Sequence, residues 1–198
     1  DLYGVACGEN NILFTNNDTA YETAMSMVKR GIKVNAIIDN REEIDSKVSY
    51  EVEKNNIRIF KGYTVVDTYG YKRINELSIM ELSKDGQKAI GKKIKLGCDS
   101  LGVSGGWTPA VHLFTQSGGK LKFREDDQVF IPNEYPSDQL SIGSCNGDFG
   151  LEEITTNTIL SVKKFLNINN IDHKTFEIIT GINKSKRNIW LLPSDKIL

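Results

Sequence analysis

The stretch NILFTNNDTAYETAMSMVKRGIKVNAIID, Asn11 to Asp39, decides the fold. Asn11 to Thr15 is a short apolar run stopped by Asn16, Asn17 and Asp18, polar residues suited to a turn and a helix N-cap. From Thr19 to Arg30, Ala20, Ala24, Met27 and Val28 recur at helical spacing, and Gly31 follows Lys29 and Arg30 as a helix-ending signal. Lys33 to Asp39 is an apolar strand that closes on an acid. Strand, helix and strand in this order make a β-α-β unit, which crosses over right-handed and builds parallel sheet.

Outward from this unit, Glu42 to Asn55 carries Ile44, Val48 and Val52 at four-residue steps, a second amphipathic helix, and Ile57 to Lys61 is a third strand. The pattern then changes. Tyr63 to Thr68 and Ile74 to Leu82 flank Tyr69-Gly70-Tyr71-Lys72, a hairpin signal, so an antiparallel meander is expected against the parallel sheet. Lys84 to Lys95 is polar and punctuated by glycine; Ser100 to Ser104 is one more strand, opening into Gly105-Gly106-Trp107-Thr108-Pro109, and a lobe boundary is expected near Gly105. Beyond it the sequence predicts a hairpin around Asp126-Asp127, a buried strand from Leu140 to Ser144 and a helix from Leu151 to Leu166. Asn167 to Leu198 mixes Asn-rich turns with Phe176 to Thr180 and the apolar patch Ile189 to Leu192. The expected class is α/β: a Rossmann-like three-layer lobe with a parallel sheet and an antiparallel β-meander, followed by a second segment.

The composition narrows the function classes. Of 198 residues, 39% are hydrophobic and 26% charged, as in a globular chain. The 25 basic and 26 acidic residues leave a net charge of −1, which argues against nucleic acid or an anionic membrane as partner. No apolar run approaches the roughly 20 residues that cross a bilayer and no signal pattern opens the chain, so a cytoplasmic setting is expected. Cys7, Cys98 and Cys145 are widely spaced without a C-x-x-C pair, which predicts three reduced thiols, Cys98 and Cys145 as small buried hydrophobes, and no zinc site. His112 and His173 are the only histidines and have no ligand spacing, so neither metal ligands nor catalytic residues are assigned. The chain begins at Asp1 rather than Met, which suggests part of a longer polypeptide.

Nucleotide chemistry has two candidate places. A dinucleotide fold needs glycines after its first strand, because the backbone must approach a pyrophosphate at a helix N-terminus. Against G-x-G-x-x-A-x-E-x-A this chain reads T-x-N-x-x-A-x-E-x-A, with Thr15 and Asn17 in place of the glycines and Ala20, Glu22 and Ala24 retained. Asp39 lies 24 positions after Thr15, close to the roughly 20 expected of a ribose acceptor, and Arg41 follows, either answering a 2′-phosphate or forming a surface ion pair. Thr15, Asn17, Ala20 and Asp39 thus form a degenerate fingerprint. It reads as an adenosine-binding turn or as scaffold that has lost its ligand, and the missing glycines favour scaffold. The second place is Gly143 to Leu151 (GSCNGDFGL), a glycine-bearing turn into a helix, which is either an anion or cofactor site or a plain connection.

Cys98 to Phe114, CDSLGVSGGWTPAVHLF, resembles the C-D-x-L-x-V-S-G-G-W-x-P-x-V-H-L-F run of heterotetrameric sarcosine oxidase alpha subunits. Gln116 to Leu121, Val34 to Asp39, Phe14 to Asp18 and Trp190 to Pro193 match the same family. The resemblance implies an internal fragment of such a subunit: residues 1–104 as an inserted nucleotide-binding-like lobe, 105–166 as the return segment of a larger domain similar to pyridine nucleotide-disulfide reductases, and 167–198 as a linker toward a folate-binding domain. It implies an enzyme that oxidatively demethylates sarcosine to glycine and passes the one-carbon unit to tetrahydrofolate, with NAD on alpha, FAD and FMN in a partner subunit or interface, and beta, gamma and delta subunits as partners. It places NAD contacts near Ser144, Cys145, Phe149 and Leu151, and leaves the Thr15 turn empty. Ser144 stands where flavin-binding relatives commonly carry Asp, in keeping with NAD. The alternatives are an alpha-type subunit of a related amine, proline or opine dehydrogenase, or a stand-alone NAD-binding module.

Overall fold

The computed structural model describes residues 3–125, 127–136 and 139–167. The chain divides into two compact units between Gly106 and Trp107.

In the first unit, strands β1 (Asn11–Thr15), β2 (Val34–Asp39), β3 (Arg58–Lys61) and β7 (Ser100–Ser104) form a parallel sheet in the order β3-β2-β1-β7. Helices α1 (Thr19–Lys29) and α2 (Ser46–Lys54) connect the first three strands. Between β3 and β7 the chain makes an antiparallel sheet of β4 (Tyr63–Gly70), β5 (Ile74–Leu82) and β6 (Ala89–Gly97). Because side chains alternate along a strand, each central strand feeds two cores. Ile12, Phe14, Ala36, Ile38 and Phe60 pack with Leu77, Ile79 and Cys98 on the meander side. Leu13 and Ile37 pack with Tyr21, Ala24 and Val52 on the helix side. All five residues of β1 are buried, as a strand covered on both faces requires. This is the three-layer α/β lobe that the sequence predicts.

Two elements differ from the sequence reading. The polar stretch within Lys84 to Lys95 contains most of β6, an edge strand whose Lys92 and Lys93 are exposed while Ile94 and Leu96 lean on the core. An edge strand needs apolar residues on one face only, and lysine there discourages further strand pairing, so its composition resembles a loop. Helix α2 begins at Ser46 rather than near Glu42, because the Asp45 side chain accepts from the Lys47 N–H at 2.8 Å and starts the helix there.

The second unit holds α3 (His112–Gln116), a hairpin of β8 (Lys120–Arg124) and β9 (Val129–Glu134), and α4 (Leu151–Leu166). The hairpin and α4 lie where the sequence predicts them, although Asp126 of the hairpin turn is outside the described residues. The buried strand expected from Leu140 to Ser144 is not formed: Leu140 and Ile142 are each 38% exposed, and Gly143, at φ +67°, opens a 3-10 turn over Gly143–Asn146. Among the described residues no helix is long and apolar enough to cross a membrane.

Candidate functional site

The turn after β1 is filled by its own side chains. Thr15, Asn16, Asn17 and Asp18 are all buried. Thr15 Oγ1 accepts from the Asn17 N–H at 3.1 Å and donates to the Asn17 carbonyl at 2.9 Å. Asn17 Oδ1 accepts from the Thr19 N–H at 3.1 Å, so one of the free donors that a helix N-terminus would offer an anion is already taken. Ala20 is buried in the first turn of α1.

Asp39 closes β2 with its side chain wholly enclosed, and its carboxylate is committed within the protein. Its Oδ1 accepts from the Arg41 N–H at 2.9 Å and from Arg41 Nε at 3.0 Å, while its Oδ2 accepts from Arg41 Nη2 at 2.7 Å and from the Tyr21 hydroxyl at 2.9 Å. Arg41 Nη1 reaches on to Asp18 Oδ1 at 2.7 Å. The Arg41 carbonyl accepts from the Gly62 N–H at 2.8 Å, which ties the backbone of this residue to the start of the meander. Arg41 is therefore no surface ion pair: its side chain is 3% exposed, clasped between two buried acids. Burial opposes the Arg41 charge, but hydrogen bonds and charges from Asp39 and then Asp18 outweigh it and raise its pKa. Burial first and the Asp39 carboxylate second raise the Tyr21 phenol, which keeps its proton and donates it in the bond to Asp39.

This cluster spends what a ribose would need. A nucleotide at this strand end would have to displace Arg41 from two carboxylates, leaving buried charges unpaired, at a cost of several kcal/mol (about 3–5). Tyr21 and Asn16 complete the filling; the sequence marks Asn16 as a turn residue and does not single out Tyr21. Tyr21 falls on an unspecified position of the fingerprint, and the only signal for it is a phenol on the apolar face of a helix facing a strand that ends in Asp.

The turn into α4 is built differently. Gly143 and Gly147 adopt left-handed conformations at φ +67° and +87°, and Gly150 is the N-cap of α4, with no side-chain cap bond. Ser144, Cys145 and Leu151 are exposed and Phe149 is half-buried. Cys145 is thus not the small buried hydrophobe the sequence suggests, because the turn leaves its side chain outside; Cys98 is buried, Cys7 is exposed, and all three thiols are free. Arg124 supports the turn from below: its Nη2 donates to the Gly147 carbonyl at 2.9 Å, its Nε donates to Asp127 Oδ1 at 2.7 Å, and it forms an ion pair with Asp127 Oδ2. Asp148 is buried, with Asn157 Nδ2 donating to its Oδ1 at 3.2 Å. Glu152 and Glu153 stand in the first turn of α4.

His112 is exposed at the start of α3, and His173 lies outside the described residues. Among the described residues no group of three or more His, Cys, Asp or Glu side chains is placed to hold a metal.

No family model matches the chain. It is 28% identical over 203 residues to the sarcosine oxidase subunit alpha of Corynebacterium sp. (strain P-1), covering 98% of this chain, and 26% identical to that of Corynebacterium sp. (strain U-96), covering 97%. A subunit alpha from Rhizobium meliloti (strain 1021) is 30% identical over 129 residues, 65% of this chain. The chain spans only 20% of the length of each corynebacterial relative. Among solved structures, thioredoxin reductase from T. acidophilum superposes with a TM-score of 0.53 at 13% identity, covering 80% of this chain and 52% of that one. L-proline dehydrogenase from P. horikoshii also gives 0.53, at 15% identity, covering 86% of this chain and 28% of that one. These two likenesses concern the fold. Along nearly its whole length the chain is similar to one stretch of the sarcosine oxidase alpha subunit, the family that its Cys98 to Phe114 run resembles.

Proposed function

We propose that this chain is a structural and NAD-contacting part of the alpha subunit of an oxidoreductase of the sarcosine oxidase type. The whole enzyme would oxidatively demethylate sarcosine to glycine, pass the one-carbon unit to tetrahydrofolate and work in the cytoplasm with beta, gamma and delta subunits. FAD and FMN would lie in a partner subunit or interface. The chain itself supplies scaffold and a cofactor contact, and no catalytic group.

The observation that carries the assignment of roles is the contrast between the enclosed Asp18-Arg41-Asp39-Tyr21 cluster and the exposed Ser144, Cys145 and Leu151. The first turn has neither space nor an unspent ribose acceptor. The second offers backbone and small side chains at the N-terminus of α4, a setting that fits a cofactor. Its charge restricts which part of the cofactor fits. Arg124 answers Asp148 and Glu153, but the exposed Glu152 opposes a diphosphate at this helix end, so the contact suits the uncharged ribose or nicotinamide portion of NAD. NAD would supply hydride-transfer chemistry where it is bound; these residues would bind and orient it.

The experiment is to measure NAD retained per folded molecule in the full-length subunit for Ser144→Leu and Asp39→Ala. Ser144→Leu is expected to lower NAD occupancy with little change in stability, and Asp39→Ala to lower stability with occupancy unchanged. The reverse result would return the site to the first lobe.

A further inference from the structure

The two asparagines of the first turn do more than fill it. Asn17 Oδ1 accepts from the Thr19 N–H, so its amide nitrogen is the end that faces Ser104, meeting the Ser104 carbonyl at 3.2 Å and Oγ at 3.2 Å. Asn16 Oδ1 accepts from the same Asn17 nitrogen at 2.8 Å, and Asn16 Nδ2 donates to the Gly105 carbonyl at 2.8 Å. The Thr19 N–H can only donate and the two carbonyls can only accept, so both amides have one consistent orientation.

These bonds join residues 87 to 89 positions apart in sequence. The segment they hold has little means of fixing itself. β7 ends at Ser104, which pairs with Thr15. Beyond it, Gly105 faces open space where a Cβ would be, and Gly106 sits at φ +108°. Two glycines give the backbone wide conformational freedom and no side chains to anchor it. We infer that Asn16 and Asn17 are positioning residues that clamp Ser104 and Gly105, fixing the backbone where the first unit ends. The side chains that replace a phosphate cradle thereby gain a second task, and this inference stands apart from the proposed cofactor role.

Isosteric variants separate the clamp from the helix cap. Asn17→Asp keeps an oxygen for the Thr19 N–H but sets a second oxygen against the Ser104 carbonyl; Asn16→Asp does the same to the Gly105 carbonyl. In the full chain, both variants are expected to speed hydrogen exchange of the peptide spanning residues 103–109, and chymotryptic cleavage after the exposed Trp107, about tenfold, while peptides from α1 and β2 exchange as before. Thr23→Ala removes a bond to the Thr19 carbonyl in the same helix and is expected to leave residues 103–109 unchanged. Wild-type exchange and cleavage in both Asp variants, or an equal acceleration in Thr23→Ala, would overturn the clamp.

Discussion

The protein contains two turns that lead into helices, Thr15–Thr19 into α1 and Gly143–Gly150 into α4, and they have opposite characters. The first is buried: Thr15, Asn16 and Asn17 are bonded to one another and to Ser104 and Gly105, and Asp18 is paired with Arg41. The second bends at two left-handed glycines and leaves Ser144 and Cys145 exposed, although Asp148 beside them is buried. A helix N-terminus is a ligand site only while its donors and the space before them are unspent. With Thr15 and Asn17 in the glycine positions, a hydroxyl and an amide fill that space and take the Thr19 N–H.

The contrast can be broken most strongly at Arg41. Arg41→Ala leaves Asp18 and Asp39 buried without their shared partner, and unfolding by denaturant is expected to show a loss of about 3–5 kcal/mol. A loss below about 1 kcal/mol would mean that the cluster is open to water after all. Tyr21→Phe removes one hydrogen bond to a charged acceptor, worth about 1.5–3 kcal/mol. It also changes the alkaline response. The unfolded phenol ionises near pH 10 while the folded one is held higher, so its contribution is intact below about pH 10 and is lost as pH rises above that value. Stability measured at increasing pH should therefore fall more steeply in the wild type than in Tyr21→Phe.

In the second turn, Gly147→Ala forces a left-handed alanine whose Cβ would come 2.8 Å from Arg124 Nη2 and 3.0 Å from Ile131 Cγ2. A cost of about 1–3 kcal/mol is expected, read from the unfolding of the second unit. Cys145→Ser is the smallest change. With the side chain outside, it should alter stability by no more than about 0.5 kcal/mol, and a larger loss in a thermal melt would show that this turn is packed like the first. The apolar residues of α4 sharpen the same point: Leu151, Leu160, Phe165 and Leu166 are exposed, and none of its residues is buried. Isolated chain is expected to self-associate in sedimentation experiments through such surface, and a strict monomer at all concentrations would count against it.

Much of the fold was legible because local pattern and tertiary demand agree there. β1, α1 and β2 combine an apolar run, a helical stripe and a second apolar run, and each is buried as its pattern requires. β6 was not legible, because an edge strand with Lys92 and Lys93 outside carries half the apolar signal of a central one. Leu140 to Ser144 erred the other way, since apolar residues there read as a strand while Gly143 turns the backbone at the end of the run. At the first turn the lost glycines and the position of Asp39 could be read, but not the closure itself. Arg41 and Asp39 are neighbours in sequence, and only the fold brings Asp18 and Tyr21 onto them and buries all four. Burial converts an ordinary Asp-x-Arg surface pair into a plug.

The central claim is that the protein's own Arg41 occupies the place at Asp39 that a ribose would need. The most direct measurement is an experimental structure of the full-length subunit solved with its nucleotide. Arg41 is expected to be bound to both Asp18 and Asp39, with no nucleotide atom touching Asp39 or Asn17. A dinucleotide lying across Thr15 and Asn17, with its ribose hydroxyls on Asp39 and Arg41 swung away, would contradict it.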